Sequence, residues 1–317
     1  MTTLILGAGL IGTLTAQQLA ERGDAVVLAD VRPGPAPEGA TRVLCNVTDL
    51  RALSDLIKAH EIRAVVHTAA WLSTAIRQSP IEGIAVNIMG TAHVLECARV
   101  HRLRRVVVAS STTVTYTGFA THDATPIEED LPLRLVSDRP ASIYAACKLA
   151  GEQLAHLYHD LHDVDVVSLR YAAVLGDLSN VTSVPGRLLQ TLVTAGKAGT
   201  RVDLNDPFLL WGGREEFVDA RDCARANVHA LDAEAPEQRV YHVANGEWYT
   251  LAEFVAAVRR VYPMLEVSWP STIETGFAGF PHQRPAPSDV RSARAELNFS
   301  CTIGLEECVA WWAARDA

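Results

Sequence analysis

Thr3-Leu4-Ile5-Leu6-Gly7-Ala8-Gly9-Leu10-Ile11-Gly12 decides the architecture of this 317-residue chain. A short apolar run, a G-x-G-x-x-G turn and an apolar-periodic stretch to Arg22-Gly23 predict strand, tight turn and helix in immediate succession. Gly7 suits the tight turn, Gly9 lets the backbone approach a pyrophosphate, and Gly12 lets the helix pack closely on the strand. The N–H groups opening that helix, around Leu10 and Ile11, then face the phosphates. A second apolar run, Ala25-Val26-Val27-Leu28-Ala29, ends at Asp30, with Val31 and Arg32 beyond it. A carboxylate about 20 residues past the glycines can accept hydrogen bonds from ribose hydroxyls, and it repels a 2′-phosphate. The expected cofactor is therefore NAD.

The same alternation continues. Thr41–Cys45, Ala64–Thr68, Arg105–Ala109 and Val164–Arg170 read as further strands. Helical stretches run from Leu50 to His60 and through Asn87 and Gly90 to Arg102. This pattern predicts an α/β fold, a Rossmann-like doubly wound parallel sheet with helices on both faces. After Gly176 the alternation gives way to residues 177–215 and 246–300, richer in Pro, Gly and aromatics. The expected division is a cofactor domain of residues 1–176 plus about 216–245. A smaller C-terminal substrate-binding lobe would comprise about 177–215 plus 246–317. A connection from about Thr112 to Ser142, rich in Pro, Asp, Glu and Thr, is long enough to read as functional.

A second signal is Tyr144-Ala145-Ala146-Cys147-Lys148. Its tyrosine and lysine share a helix face, about 5–6 Å apart at Cβ. The chain carries only three lysines, Lys58, Lys148 and Lys197, so this position resisted the general use of arginine. An ammonium beside a phenol stabilises the phenolate, and bringing tyrosine from about 10 to about 7 takes about 4 kcal/mol.

Composition sets the boundaries. With 49% hydrophobic residues the chain can bury a large core, and its formal charge of −9 gives nucleic acid and anionic membranes no electrostatic attraction. No apolar run reaches membrane-spanning length and no leader precedes the first strand, so a cytoplasmic location is expected. The six cysteines show no C-x-x-C spacing and the histidines no H-E-x-x-H pattern, so no metal is expected.

Taken together, the chain resembles the extended short-chain dehydrogenases/reductases, the NAD-dependent epimerase/dehydratase family. Besides the glycine motif, Asp30 and Tyr144 to Lys148, the resemblance rests on motifs along most of the chain. They include Val66-His67-Thr68-Ala69-Ala70, Val86-Asn87-Ile88-Met89-Gly90-Thr91 and Ala109-Ser110-Ser111. Pro126 to Pro132, Leu169-Arg170, Phe217 to Asp222 and Tyr241 to Gly246 complete them. The resemblance implies a catalytic set of Ser111, Tyr144 and Lys148. It further implies that Asn46 and Val47 lie near the adenine, and that Thr68, Ala69, Ala70, Asn87, Ala109, Ser110, Tyr171, Ala173 and Val174 line the cofactor site. Leu72, Ser73, Thr112 and Thr113, with Ser111 and the arginines Arg187, Arg214 and Arg284, are expected around the substrate. A homodimer through paired helices is also implied. The apolar residues Val94, Leu95, Ala98, Leu149, Leu154 and Leu157 would supply faces turned away from the sheet.

The chemistry agrees with those roles. Oxidising a secondary alcohol requires a base for the O–H proton while hydride leaves carbon, and Tyr144 as phenolate fits that task. Ser111, at the end of a strand, would orient the substrate oxygen. His67 is expected to pack behind the cofactor. Three departures bear on the substrate. Thr112-Thr113 stands where dehydratases of the family carry Asp-Glu, which disfavours dehydration. Ala173 replaces an asparagine that commonly contacts a diphosphate. Arg214-Glu215-Glu216 replaces the usual Arg-Asp ahead of Phe217, adding negative charge where a diphosphate would lie. An NAD-dependent oxidoreductase or epimerase that transfers hydride at a secondary alcohol of a sugar or sugar-nucleotide substrate is expected, with the nucleotide left open. The alternatives are net dehydrogenation of a small polyol, sugar acid or hydroxy acid, and a non-catalytic dinucleotide sensor.

Overall fold

A computed structural model describes residues 1–176 and 183–315. Seven parallel strands form one sheet. Its strands are β1 (Thr2–Leu6), β2 (Ala25–Asp30), β3 (Ala40–Leu44), β4 (Ala64–His67), β5 (Arg105–Ser111), β6 (Val166–Tyr171) and the edge strand Val240–Val243. Their spatial order is edge strand, β6, β5, β4, β1, β2, β3, with the reversal of direction of winding falling between β1 and β4. That switch point is where open α/β sheets bind ligands, beyond the carboxyl ends of the strands.

The two faces of the sheet follow from the alternation of side chains along each strand. Ile5, Leu28, Val66, Val107 and Leu169 face one way, with Ala16 and Leu19 of helix α1 (Leu10–Glu21) and Ala226 and Ala230 of the helix Ala220–Asp232. Leu4, Val27, Val65 and Val106 face the other way. They meet Leu53 and Ile57 of helix α2 (Leu50–Ala59), and Val94, Leu95 and Ala98 of the helix Gly90–His101. Strands covered on both faces read as continuous apolar runs, as these do.

The region around Asn87 departs from the expected single helix. A helical turn Pro80–Ile84 is followed by a π-helical stretch Ala85–Met89, then by the helix Gly90–His101. Arg102 closes it in the left-handed region with φ 51°. Gly90 is needed here because a Cβ would come within 2.9 Å of Val47. Val94, Leu95 and Ala98 lie in the subunit core, so they are not available to a partner. The large apolar residues left exposed on this stretch and on the helix Ile143–His162 are instead Ile81, Met89, Val100, Ile143, Leu157 and Leu161.

A second core gathers the C-terminal elements. Helix Val184–Ala198 packs with helices Leu251–Val261 and Leu305–Arg315 around Trp211, Phe217, Phe254 and Phe277. These four rings contact one another at centroid separations of 4.8 to 5.9 Å. Two short parallel pairs, Ala173–Leu175 with Phe217–Asp219 and Val202–Asp203 with Val267–Ser268, extend from it. Asp177 and the other residues from 177 to 182, where this lobe was expected to begin, lie outside the described residues. Phe217 is at the centre of the aromatic cluster. Phe217→Ala is expected to cost about 3–5 kcal/mol, as for other buried rings, read as a lower urea midpoint at unchanged m-value.

Candidate active site

The carboxyl ends of β1, β2, β4 and β5 open into one cleft of about 1580 Å³ that reaches into the C-terminal lobe. Its floor is the glycine turn. Gly7 adopts φ +99°, and a Cβ there would meet the Ala69 nitrogen at 2.5 Å. A Cβ on Gly12 would meet the Gly7 carbonyl oxygen at 1.9 Å, so α1 can approach β1 only with glycine at that position. Nothing lies within 4 Å of where a Gly9 Cβ would be, which leaves its backbone open to the cleft. Gly9 is also the N-cap of α1 and no side chain caps the helix, so the first N–H groups are available to phosphate oxygens.

Asp30 closes the far end. Its Oδ2 accepts the Ala8 N–H at 2.9 Å and its Oδ1 the Arg32 N–H at 3.0 Å, which fixes the carboxylate at the mouth of the turn. Thr68 Oγ1 lies 3.0 Å from both the Leu6 and Gly7 carbonyl oxygens and ties β4 to the turn. Leu10, Ile11, Val31, Asn46, Val47, Ala70, Ala109, Ser110, Tyr171, Ala173 and Val174 also line the cleft. This cradle of glycine backbone, free helix N-terminus and carboxylate has the shape and chemistry of an adenosine diphosphate half-site.

The reactive corner is built by two elements. β5 delivers Ser111 at its last position, and the helix Ile143–His162, capped by Ser142 Oγ on the Ala145 N–H at 3.1 Å, presents Tyr144 and Lys148. Lys148 Nζ donates to the Ala109 carbonyl oxygen at 2.7 Å, and it lies 5.6 Å from the centre of the Tyr144 ring. Ser111 Oγ accepts from the Thr113 N–H at 3.2 Å and stands 3.1 Å from Thr113 Oγ1, while the Tyr144 phenol is its other hydrogen-bond partner. Thr113 therefore serves to turn Ser111, a role beyond the substrate contact expected from sequence.

In the chain without cofactor, burial acts on both groups. Burial pushes the Tyr144 phenol up to about 12, opposed by its hydrogen bond to Ser111. Burial likewise lowers Lys148 to about 8, opposed by the nearby Cys147 and Glu152. The lysine alone thus does not bring the phenol into the neutral range; desolvation wins over one ammonium turned toward a carbonyl. His67, the last residue of β4, is buried with Nε2 3.2 Å from Thr91 Oγ1, and burial followed by Lys148 lowers it to about 3. It is a packed neutral imidazole that does not line the cleft.

Three expected site residues are elsewhere. Asn87 does not line the cleft: its side chain accepts the Trp71 N–H at 2.7 Å and donates to the Trp71 carbonyl at 2.9 Å, bracing the loop before Leu72. Arg214 turns away to the Trp248 carbonyl and Glu253. Arg284 is buried, with Nε 2.9 Å from Glu215 and Nη1 3.3 Å from Glu216. Opposing carboxylates, not a ligand, hold it there. Leu72, Ser73, Thr112 and Arg187 do line the cleft, Arg187 already paired with Asp206. The sequence reading missed Arg77, Tyr116, Phe208, Phe277 and Phe280, which also line it. Arg77 sits on the short helix Ser73–Gln78, Tyr116 comes from the long connection, and the three phenylalanines come from irregular parts of the C-terminal lobe, where no local periodicity marks them. Among the described residues no group of His, Cys, Asp and Glu is placed to hold a metal, and no helix is long and apolar enough to cross a membrane.

Comparison with known proteins places this geometry. The profile of the NAD dependent epimerase/dehydratase family matches residues 3–244. The UDP-glucose 4-epimerase of Bacillus subtilis is 27% identical, with 96% of this chain and 94% of that protein covered. Among solved structures, the GalE-like L-threonine dehydrogenase of Cupriavidus necator superposes with a TM-score of 0.83 at 27% identity and full coverage of both chains. MoeE5, solved in complex with UDP-glucose and NAD, gives a TM-score of 0.78 at 26% identity, covering 100% of this chain and 99% of that one.

Replacing Tyr144 by Phe keeps the ring and removes the proton acceptor. The rate is expected to fall 10²- to 10⁴-fold while NAD affinity and folding are retained. Lys148→Ala should move the rising limb of the pH–rate profile to higher pH, since the phenolate loses its nearest positive side chain. Steady-state rates from pH 6 to 10 check both.

Proposed function

The chain belongs to the NAD-dependent epimerase/dehydratase family, and from that premise we propose a net NAD-dependent dehydrogenase acting on the secondary alcohol of a small polar substrate. The substrate class is a polyol, sugar acid or hydroxy acid without a nucleotide. The observation that carries this is the state of Arg284. Its guanidinium is buried between Glu215 and Glu216, and Tyr116 packs against the same group. Arg214 faces Glu253 outside the cleft and Ala173 offers no side-chain donor. Diphosphate recognition requires cations or donors free to meet several anionic oxygens. Here the candidates are consumed by carboxylates of the chain itself. The full-length likeness to a protein named as an L-threonine dehydrogenase supports the same reading.

NAD supplies the hydride acceptor and, in its oxidised form, a positively charged ring. The residues then divide the remaining work. Ser111 holds the substrate oxygen by a hydrogen bond, with Thr113 fixing the rotamer of its hydroxyl. Tyr144 takes the alcohol proton at its phenolic oxygen. Lys148 anchors the catalytic helix to Ala109 and contributes positive charge. Tyr116 and Phe280, with ring centroids 4.4 Å apart, and Phe277 add apolar surface to the same cleft.

A second reading, epimerisation of a nucleotide sugar, is favoured by the relatives named UDP-glucose 4-epimerase. A panel separates the two. With NAD present, small polyols, aldonic acids and hydroxy acids should give net NADH absorbance at 340 nm, and UDP should not raise the melting temperature. Interconversion of a UDP-sugar with no net NADH, together with protection by UDP, would replace the proposal by the second reading.

Assembly follows from the helices Gly90–His101 and Ile143–His162, which pack together and expose Val100, Leu157 and Leu161 beside Met89. We propose a symmetric dimer that covers these side chains in a four-helix contact. Light scattering at micromolar concentration should give twice the chain mass, and Leu161→Glu should return it to a monomer.

A further inference from the structure

The cations of the cleft differ in what already neutralises them. Arg32 lies 3.8 Å from Asp30, Arg187 is paired with Asp206, and Arg221 sits 2.8 Å from Asp219. Lys148 is committed to the Ala109 carbonyl. Arg315 stacks on Trp311 in the C-terminal helix, beside Arg221. Arg77 stands apart. Among the described residues no ion pair or hydrogen bond holds its guanidinium, which rests on the face of Phe208 with Cζ 4.5 Å from the ring centre. It sits on the short helix Ser73–Gln78, and that helix packs against the catalytic helix Ile143–His162. Arg77, exposed to solvent, and Arg315 are thus the cleft arginines that no ion pair among the described residues holds, and Arg77 is the one whose helix packs against the catalytic helix.

Its platform is itself fixed. Asp206 Oδ1 accepts the Phe208 N–H at 2.9 Å, and Arg187 holds Asp206. Gly279, with φ +75°, makes room behind the ring, since a Cβ there would approach Phe208 to 3.0 Å. A guanidinium lying on an aromatic face keeps its in-plane N–H groups free, and its fork matches the two oxygens of a carboxylate. The pairing of Arg187 with Asp206 therefore reads as support for Phe208, and through it for Arg77.

We infer that Arg77 is a specificity-determining residue that takes the carboxylate of a short hydroxy acid while Ser111 and Tyr144 take its carbinol. This rests on the dehydrogenase reading above and narrows its substrate class. The step balances as an alcohol oxidation: the carbinol C–H and O–H bonds break, the proton passes to the Tyr144 oxygen, and the hydride pair passes to NAD. The product is the keto acid. Arg77 keeps its proton throughout and contributes binding, not proton transfer.

The test compares 3-hydroxybutyrate, glycerate and threonine, each beside its primary amide, with wild-type, Arg77→Met and Arg77→Lys proteins and saturating NAD. The wild type should prefer at least one acid over its amide by tenfold or more in kcat/KM. Arg77→Met should lose about 10- to 100-fold on that acid, mostly through KM, as expected when a charge-assisted bidentate contact is removed. The amide should change less than twofold, and Arg77→Lys should regain part of the loss. A merely structural arginine would lower both substrates together. If Arg77→Met leaves the acid-to-amide ratio within twofold of the wild type, or the wild type uses acid and amide equally, Arg77 is not the determinant and the dehydrogenase reading stands. If none of these alcohols reduces NAD while a UDP-sugar is interconverted, the reading beneath it fails and this inference with it.

Discussion

The bond from Lys148 Nζ to the Ala109 carbonyl oxygen, 2.7 Å long, is the contact on which the reactive corner depends. It joins the first turns of the catalytic helix to the last residues of β5, two elements that the chain supplies separately. Ser111 is two residues beyond Ala109, and Tyr144 one turn before Lys148, so this bond sets their mutual position. A neighbouring network reinforces it. Glu152, one further turn along, takes a bidentate contact from Arg170 of β6 at 2.9 and 2.7 Å, and Ser110 donates to the same carboxylate. The helix is thereby fixed to two adjacent strands through buried, mutually satisfied charges. Removing one partner from such a network leaves an uncompensated charge, which is why it constrains geometry strongly.

Charge placement distinguishes the two halves of the cleft. On the cofactor side, free N–H groups at the head of α1 and the Asp30 carboxylate remain exposed to a ligand. On the lobe side, arginines have been drawn into internal pairs. Arg284 meets two glutamates in the core, and burial of Glu216 raises its carboxyl, with Arg284 and Ser288 acting against that rise. Substrate selection then falls to side chains near the reactive carbon, where a small molecule can touch several at once.

Much of this was legible in the sequence because it depends on local pattern. The glycine turn, the alternating strands and helices, and the Tyr144–Lys148 spacing each act within a few residues, and the structure has all of them in the expected order. Strand ends moved by one or two residues, as in β3 and β6. The π-helical stretch at Ala85–Met89 was not visible, because nothing local separates it from an ordinary turn. Arg284 and Arg214 were misread for a different reason. Their partners, Glu215 and Glu253, lie 69 and 39 residues away, and only the fold brings them together. Arg77 and Phe208 were missed because they meet only in the fold, 131 residues apart in sequence, which no spacing encodes.

The central claim is that Tyr144 is the proton acceptor and that the chain by itself holds its phenol un-ionised, at about 12, until bound NAD adds positive charge. An ultraviolet difference titration at 295 nm, wild type minus Tyr144→Phe, measures that ionisation directly. The account predicts a single phenol titrating near the upper limit without NAD and moving toward the neutral range when oxidised NAD is saturating, with the shift reduced in Lys148→Ala. A Tyr144 ionisation that stays in place on NAD binding would contradict it.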